Sequence, residues 1–144
     1  MAESDTRTAP PVEAVVETAA YADDLVAAEH FYATVLGLPV LGRDPGRHVF
    51  FRVGPATVFL VFNADATIKG GALPAHGARG PGHFALGIPT DALGAWGDHL
   101  FACGIAIEQE VTWPLGGRSL YFRDPAGNAV ELVTRGIWGT PAGW

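Results

Sequence analysis

Three residues stand out for the chemistry they offer: Glu17 in VVETAAY, His83 in GHFALGI and Glu131 in NAVELV. Each interrupts an apolar stretch. Glu131 is the sharpest case, because Ala129 to Val133 read as a buried strand and an unpaired carboxylate is expensive to bury. Two carboxylates and an imidazole are oxygen and nitrogen donors suited to a divalent ion. An ion would offset the cost of burying both acids, and three protein ligands would leave positions open for water or substrate. Competing explanations stand beside this one. Arg118, Arg123 and Arg135 are potential partners for Glu131, and a lone strand histidine is more often a satisfied structural residue than a ligand.

An internal repeat makes the three a set. The stretch VVETAAYADDLVAAEHFYATVLGLPV reads as a short strand followed by a helix. Asp23 or Asp24 caps that helix, Leu25, Ala28, Phe31, Tyr32 and Val35 form its apolar face, and Gly37 stops it. GHFALGIPTDALGAWGDHLFACGIAI repeats the plan: a strand from His83 to Ile88, a cap at Thr90 or Asp91, a helix carrying Leu93, Trp96, Leu100 and Phe101, and Gly104 as its end. From Glu17 to Gly37 is 20 positions, and from His83 to Gly104 is 21. Strand-like runs follow each glycine: LPVLGR, HVFFRV and TVFLVF, then AIEQEV, RSLYFR and AVELV. Turn sequences such as Asp44-Pro45-Gly46 and Asp124-Pro125-Ala126-Gly127 separate them.

The expected fold class is therefore α+β, two βαβββ modules. Residues 1–12 read as a flexible leader, 13–67 as the first module, 68–82 as a linker or cleft loop, 83–135 as the second module and 136–144 as a C-terminal tail. Aligned on their glycines, the halves place Glu17 and His83 together at the start of the first strand. Aligning VFLVF with VELV sets Glu131 on Phe59. Three of four repeat-equivalent sites thus hold ligand-type residues, and the fourth holds Phe59. A four-stranded sheet with one helix leaves its other face bare, so the halves must cover each other within one chain or across a dimer, and the covered face becomes a cleft.

Composition narrows the setting. The chain has 144 residues, 49% of them apolar, and a net charge of −6 without a Lys/Arg run, which argues against a nucleic-acid surface. No stretch is long enough to cross a bilayer, and MAESDTRTAPP lacks the apolar centre of a signal peptide. A cytoplasmic protein is the expectation. Cys103 is the single cysteine and reads as a small core residue. His30 and His99 read as packing or surface residues of the helices. His76 lies in the loop LPAHGARG, which is either solvated or closes over a ligand. The tail TRGIWGTPAGW is too apolar to float freely and is expected on the sheet or at a dimer contact.

The runs ETAAYADDLVAAEHFYATVLGLPV, GHFALGI and GGRSLYFRDPAGNAVELV resemble the vicinal oxygen chelate superfamily, which includes glyoxalase I, fosfomycin-resistance proteins, extradiol dioxygenases and bleomycin-binding proteins. The similarity runs from about Val15 to Val133. It implies paired βαβββ modules curled around a metal, with Glu17, His83 and Glu131 at ligand positions and Phe59 where glyoxalase I places a further glutamate. One histidine and two glutamates favour Mn(II), Fe(II) or Mg(II), with Zn(II) or Ni(II) also acceptable. Ser119 and Tyr121 match a Ser-x-Tyr-Phe-x-Asp-Pro-x-Gly run of fosfomycin-resistance enzymes, and the resemblance points both into the cleft. The loop EVTWPLGG lacks the lysine those enzymes use for a phosphonate.

By this resemblance the catalytic candidates are Glu17, Glu131 and Tyr121. The substrate-binding candidates are Phe59, Trp113, Arg118, Ser119 and Tyr121, with Arg118 read either as a substrate-anion contact or as a surface ion pair. The implied function is a metal-dependent enzyme of glyoxalase type acting on a small molecule with neighbouring oxygens. A bleomycin-resistance-type drug-binding protein, with a pocket lined by aromatics such as Phe50 and Phe62, and a small extradiol dioxygenase are the alternatives. A homodimer is implied, in which one site takes Glu17 from one subunit and His83 with Glu131 from the other.

Overall fold

The computed structural model describes residues 8–144, so the leader read over residues 1–12 lies partly outside the described residues. In the first half, β1 (Glu17–Tyr21) leads to α1 (Leu25–His30), which continues as a π-helical turn over Phe31–Val35. Asp24 caps α1 by accepting from the Ala27 amide at 2.9 Å. Strands β2 (Val40–Asp44), β3 (His48–Val53) and β4 (Thr57–Phe62) follow, then a single helical turn, α2 (Ala64–Thr67). The second half has β5 (His83–Gly87), α3 (Leu93–Ala102), β6 (Gln109–Thr112), β7 (Arg118–Arg123) and β8 (Ala129–Val133). The strands form two four-stranded sheets, ordered β1-β4-β3-β2 and β5-β8-β7-β6. In each, the first and last strands run parallel and the other pairs antiparallel. The molecule is the two-module α+β fold expected from the repeat.

Its register corrects one expectation. Glu17 lies opposite Val58, and His83 lies opposite Ala129. The flanking bonds match as well: Ala22 N–H to the Phe62 carbonyl at 2.9 Å in one module, Ile88 N–H to the Val133 carbonyl at 2.9 Å in the other. Counting back from these pairs, the equivalent of Glu131 is Leu60, not Phe59. A slip of one residue moves a strand side chain to the opposite face. Phe59 is accordingly 1% exposed, packed against Tyr32 and Phe84 at centroid distances of 4.8 and 4.7 Å. It belongs to the core and contacts no cleft. Two apolar runs can be aligned in either register; only the hydrogen-bonded ladder decides between them.

Alternation along the strands builds that core. Phe51, Phe59 and Val61 of the first sheet, and Leu120, Phe122, Val130 and Leu132 of the second, pack together with the helices. Tyr32 sits fully buried in the middle, and its hydroxyl donates to Asp124 Oδ2 at 2.7 Å. Asp124 also accepts from the amides of Ala126 and Asn128, at 3.0 and 2.8 Å, and from Asn128 Nδ2 at 2.9 Å. Asn128 in turn accepts from the Gly82 amide at 2.8 Å. The turn sequence DPAGN thus does more than reverse the chain. It joins the first module's helix to the second module's last hairpin, and burial together with the Asp124 charge pushes the Tyr32 phenol well above its ordinary pKa.

Three smaller expectations also change. Cys103 is exposed rather than in the core, because it follows the last turn of α3 as its C-cap. Phe101 is 85% exposed, since it sits one position round the helix from the fully buried Leu100. Thr90 and Asp91 belong to a 3-10 turn that ends at Ala92, and α3 starts at Leu93 without a side-chain cap. His99 packs as expected, donating from Nε2 to the Val35 carbonyl at 2.8 Å. No described helix is long and apolar enough to cross a membrane.

Candidate functional site

The strand faces turned away from the core carry the chemistry. On β5, Phe84 and Leu86 pack on the core, so His83, Ala85 and Gly87 occupy the other face. Glu131 on β8 lies opposite Ala85 of β5 and opposite Tyr121 of β7, and Ser119 is two residues along β7. Parallel pairing of β5 with β8 therefore brings His83 to Glu131 across the sheet.

Glu131 is 5% exposed, and the structure shows how its charge is tolerated. Oε1 accepts two hydroxyl bonds, from Ser119 at 2.5 Å and from Tyr121 at 2.8 Å. Ser119 Oγ itself accepts from Trp113 Nε1–H at 2.8 Å. Trp113, Ser119 and Glu131 thus form a directional chain that leaves the serine proton nowhere to go but the carboxylate. None of the three arginines considered from sequence reaches it. Arg118 shares the parity of Leu120 and Phe122, the core-facing side, and pairs with Glu110 at the sheet edge. This removes Arg118 from the cleft. Arg123 pairs with Glu108. Ser119 is 0% exposed, so it orients Glu131 and touches no ligand. Tyr121 is half-buried; burial first, and then its bond to Glu131, push its phenol up from the ordinary value.

The second carboxylate oxygen faces His83. Nε2 and Glu131 Oε2 are 3.4 Å apart. On the other side of the ring, Nδ1 lies 3.0 Å from the Ala129 carbonyl. A carbonyl only accepts, so Nδ1 carries a proton. A neutral His83 then directs the Nε2 lone pair at an anionic oxygen. That arrangement calls for a positive charge between them, either a proton on Nε2 or a cation. The separation is long for a charge-assisted hydrogen bond but suits two donors each about 2.1 Å from one ion. The backbone bond on Nδ1 is also the kind of support that fixes a ligating imidazole.

Glu17 holds the position equivalent to His83 in the first sheet and is exposed. It does not join the pair: among the described residues no three His, Cys, Asp or Glu side chains of one chain gather as a metal site. Further along the first sheet from Glu17, toward Tyr21, the open face is aromatic. His48 stacks on Phe50 at 3.9 Å, and Phe62 packs on Phe50 at 5.5 Å. The loop histidine is drawn in as well, with His76 Nδ1 2.7 Å from the Tyr21 hydroxyl and its ring 4.7 Å from Phe62.

A family model described as the Glyoxalase/Bleomycin resistance protein/Dioxygenase superfamily matches residues 14–132, nearly all of both modules. The chain belongs to this superfamily. Among solved structures it resembles a lactoylglutathione lyase from Agrobacterium tumefaciens, with 40% identity, a TM-score of 0.86, and coverage of 91% of this chain and 100% of that one. A glyoxalase/bleomycin resistance protein/dioxygenase from Nocardioides shares the fold at 23% identity and a TM-score of 0.70, covering 96% of this chain and 92% of the other. A glyoxalase/dioxygenase from Nostoc punctiforme does so at 22% identity and 0.64, covering 88% and 98%. No curated protein matches the sequence.

Sequence reasoning selected His83, Glu131, Tyr121, Ser119 and Trp113, and these five form one connected cluster. The tail, expected on the sheet or at a dimer contact, lies on the sheet, with Trp144 against Gly87 on this same face. The glycine in an otherwise apolar strand was the available signal, because strand glycines often mark close approach of another group.

Proposed function

We propose that the protein is a metal-dependent enzyme of glyoxalase type, with His83 and Glu131 of one subunit and Glu17 of a partner subunit holding one divalent ion. The observation that carries this reading is the His83–Glu131 pair: an imidazole fixed through Nδ1 whose Nε2 faces a buried carboxylate at 3.4 Å. The identity to a lactoylglutathione lyase supports a lyase-type reaction. When bound, the ion would hold two neighbouring substrate oxygens and stabilise negative charge that develops on them.

The chain's own residues have distinct parts. Ser119 and Tyr121 occupy Oε1 and so aim Oε2 at the ion site. Tyr121, half-buried beside the His83 ring at 6.0 Å, closes one side of it. Glu17, exposed on its own sheet, would hold the ion from the partner's side and, on leaving it, could take a substrate proton. Leu60 stands where a further carboxylate would complete a four-ligand set, leaving the ion more open to water or substrate.

Sharing of sites between subunits is tested by mixing Glu17→Ala and Glu131→Ala proteins. Neither homodimer should hold metal tightly. Random re-association should restore about a quarter of the wild-type sites, read as bound metal per chain. No restoration, with mixed dimers demonstrated, would rule out the shared site. A drug-binding role without catalysis draws on the aromatic face of Phe50, Phe62 and His48. In that case His83→Ala should leave ligand affinity unchanged.

A further inference from the structure

The last nine residues, 136–144, fold back rather than trail away. Gly136 N–H donates to the Gly143 carbonyl at 2.8 Å, and Thr140 N–H to the Trp144 carbonyl at 2.9 Å. This loop carries Trp144 onto the open face of the second sheet. A Cβ placed on Gly87 would lie 2.4 Å from the indole, so only glycine fits beneath it. Gly87 pairs with Val133, two residues along from the Ala85–Glu131 pair. The indole therefore rests roughly 7 Å along the strand from the Glu131 row.

Arg135 covers the ring. Its guanidinium carbon is 4.1 Å from the Trp144 centroid, and Nε donates to the Ala142 carbonyl at 3.1 Å. The side chain is thus held at its stem and on its face. Its two Nη groups are a different matter. Arg43, Arg79, Arg118 and Arg123 each pair with a carboxylate; among the described residues Arg47, Arg52 and Arg135 do not, and of these three Arg135 is the one held against a ring. A guanidinium fixed in place with its fork still open suits a carboxylate, and the fixing reduces the entropy lost on binding.

We propose that Arg135 and Trp144 form an anion subsite at the far end of the cleft, which receives a carboxylate carried by an elongated substrate whose other end presents its oxygens at His83 and Glu131. The length of such a substrate follows from the strand: an apolar segment passes the edge of Trp144, and the carboxylate sits beyond it. The subsite deepens the proposed function and rests on that reading for the position of the reacting end.

The test begins with metal-free protein. Octanoate and the neutral octanamide are titrated while the Trp144 indole N–H resonance is followed, assigned from its loss in Trp144→Phe. Octanoate should shift the resonance saturably and bind at least about tenfold more tightly than octanamide. Arg135→Gln should abolish the preference. Arg43→Gln, which removes the same charge from a paired surface arginine, should retain it. Equal binding of the two probes, or a preference that survives Arg135→Gln, overturns the proposal. A second titration uses Zn(II)-loaded protein with octanohydroxamate and the monohydroxamate of suberic acid, which adds a terminal carboxylate. The acid should bind about tenfold more tightly, and only while Arg135 is present. If Zn(II) improves the binding of neither hydroxamate, the metal reading fails, and the octanoate titration still decides the subsite on its own.

Discussion

The two sheets share strand order, register and closing hydrogen bonds, yet their open faces carry opposite chemistry. On the second, Glu131 is buried under two hydroxyl donors and faces His83. On the first, Leu60 takes the place of Glu131, and stacked His48, Phe50 and Phe62 surround it. Glu17 remains there as a carboxylate, exposed at the start of its strand. A duplicated backbone supplies equivalent positions in pairs. The side chains then assign one member of each pair to charge and the other to an apolar wall. The asymmetry is economical for a site built from one face of each kind, since each buried donor needs its own supporting bonds and only the second sheet provides them.

Substitutions at neighbouring positions of β4 should break this comparison most sharply. Phe59→Glu puts an unpaired charge in the core, against Tyr32 and Phe84, at a cost comparable to the roughly 5–15 kcal/mol that holds a domain together. It should unfold the protein, visible as loss of near-ultraviolet circular dichroism. Leu60→Glu places the same group on the open face and should leave the fold intact. In addition it should tighten metal binding about tenfold or more by adding a fourth donor. If both variants fold equally well, the register is wrong.

The clasp between the halves comes next. Asp124→Ala strands the Tyr32 hydroxyl and Asn128 and should cost roughly 2–4 kcal/mol in urea unfolding, while Tyr32→Phe should cost about 1–2 kcal/mol. Tyr121→Phe and Ser119→Ala each remove one donor from Glu131, and each should weaken metal binding by about tenfold with little change in fold. The smallest effect belongs to the first face. Burial lowers the His48 pKa, so the unfolded chain binds that proton more readily than the folded one. Stability should therefore be fully present above the ordinary histidine value of about 6.5 and fall as the pH drops below it. His48→Phe should flatten that part of the acid limb in a series of thermal melts.

Much of this was legible in the sequence because local signals agreed. The glycine stops, the Asp24 cap and the strand runs gave the two modules, and the placement of Glu17 and His83 at matching strand starts survives in the register. The misplacement of Phe59 shows the limit. An apolar strand buried on one face and half-buried on the other has no polar residue to mark its phase, so TVFLVF can be slid by one position at no visible penalty. Of the two readings of Arg118 the surface ion pair holds and the substrate contact does not, for a related reason: it neighbours Ser119 in sequence, and neighbours on a strand point to opposite faces. Of the links that span the chain, Tyr32 to Asp124 leaves no local pattern at all, and Trp144 to Gly87 leaves only the strand glycine. They depend on how the halves and the tail come together.

The most direct measurement is the metal content of untagged protein by mass spectrometry, with His83→Ala and Glu131→Gln alongside. The account predicts about one divalent ion per chain in the wild type and loss of it in both variants, each shown to be folded. A wild type that holds no ion after reconstitution with Mn(II), Fe(II), Ni(II) and Zn(II), or variants that retain it in full, would contradict the claim that Glu131 and His83 face a metal.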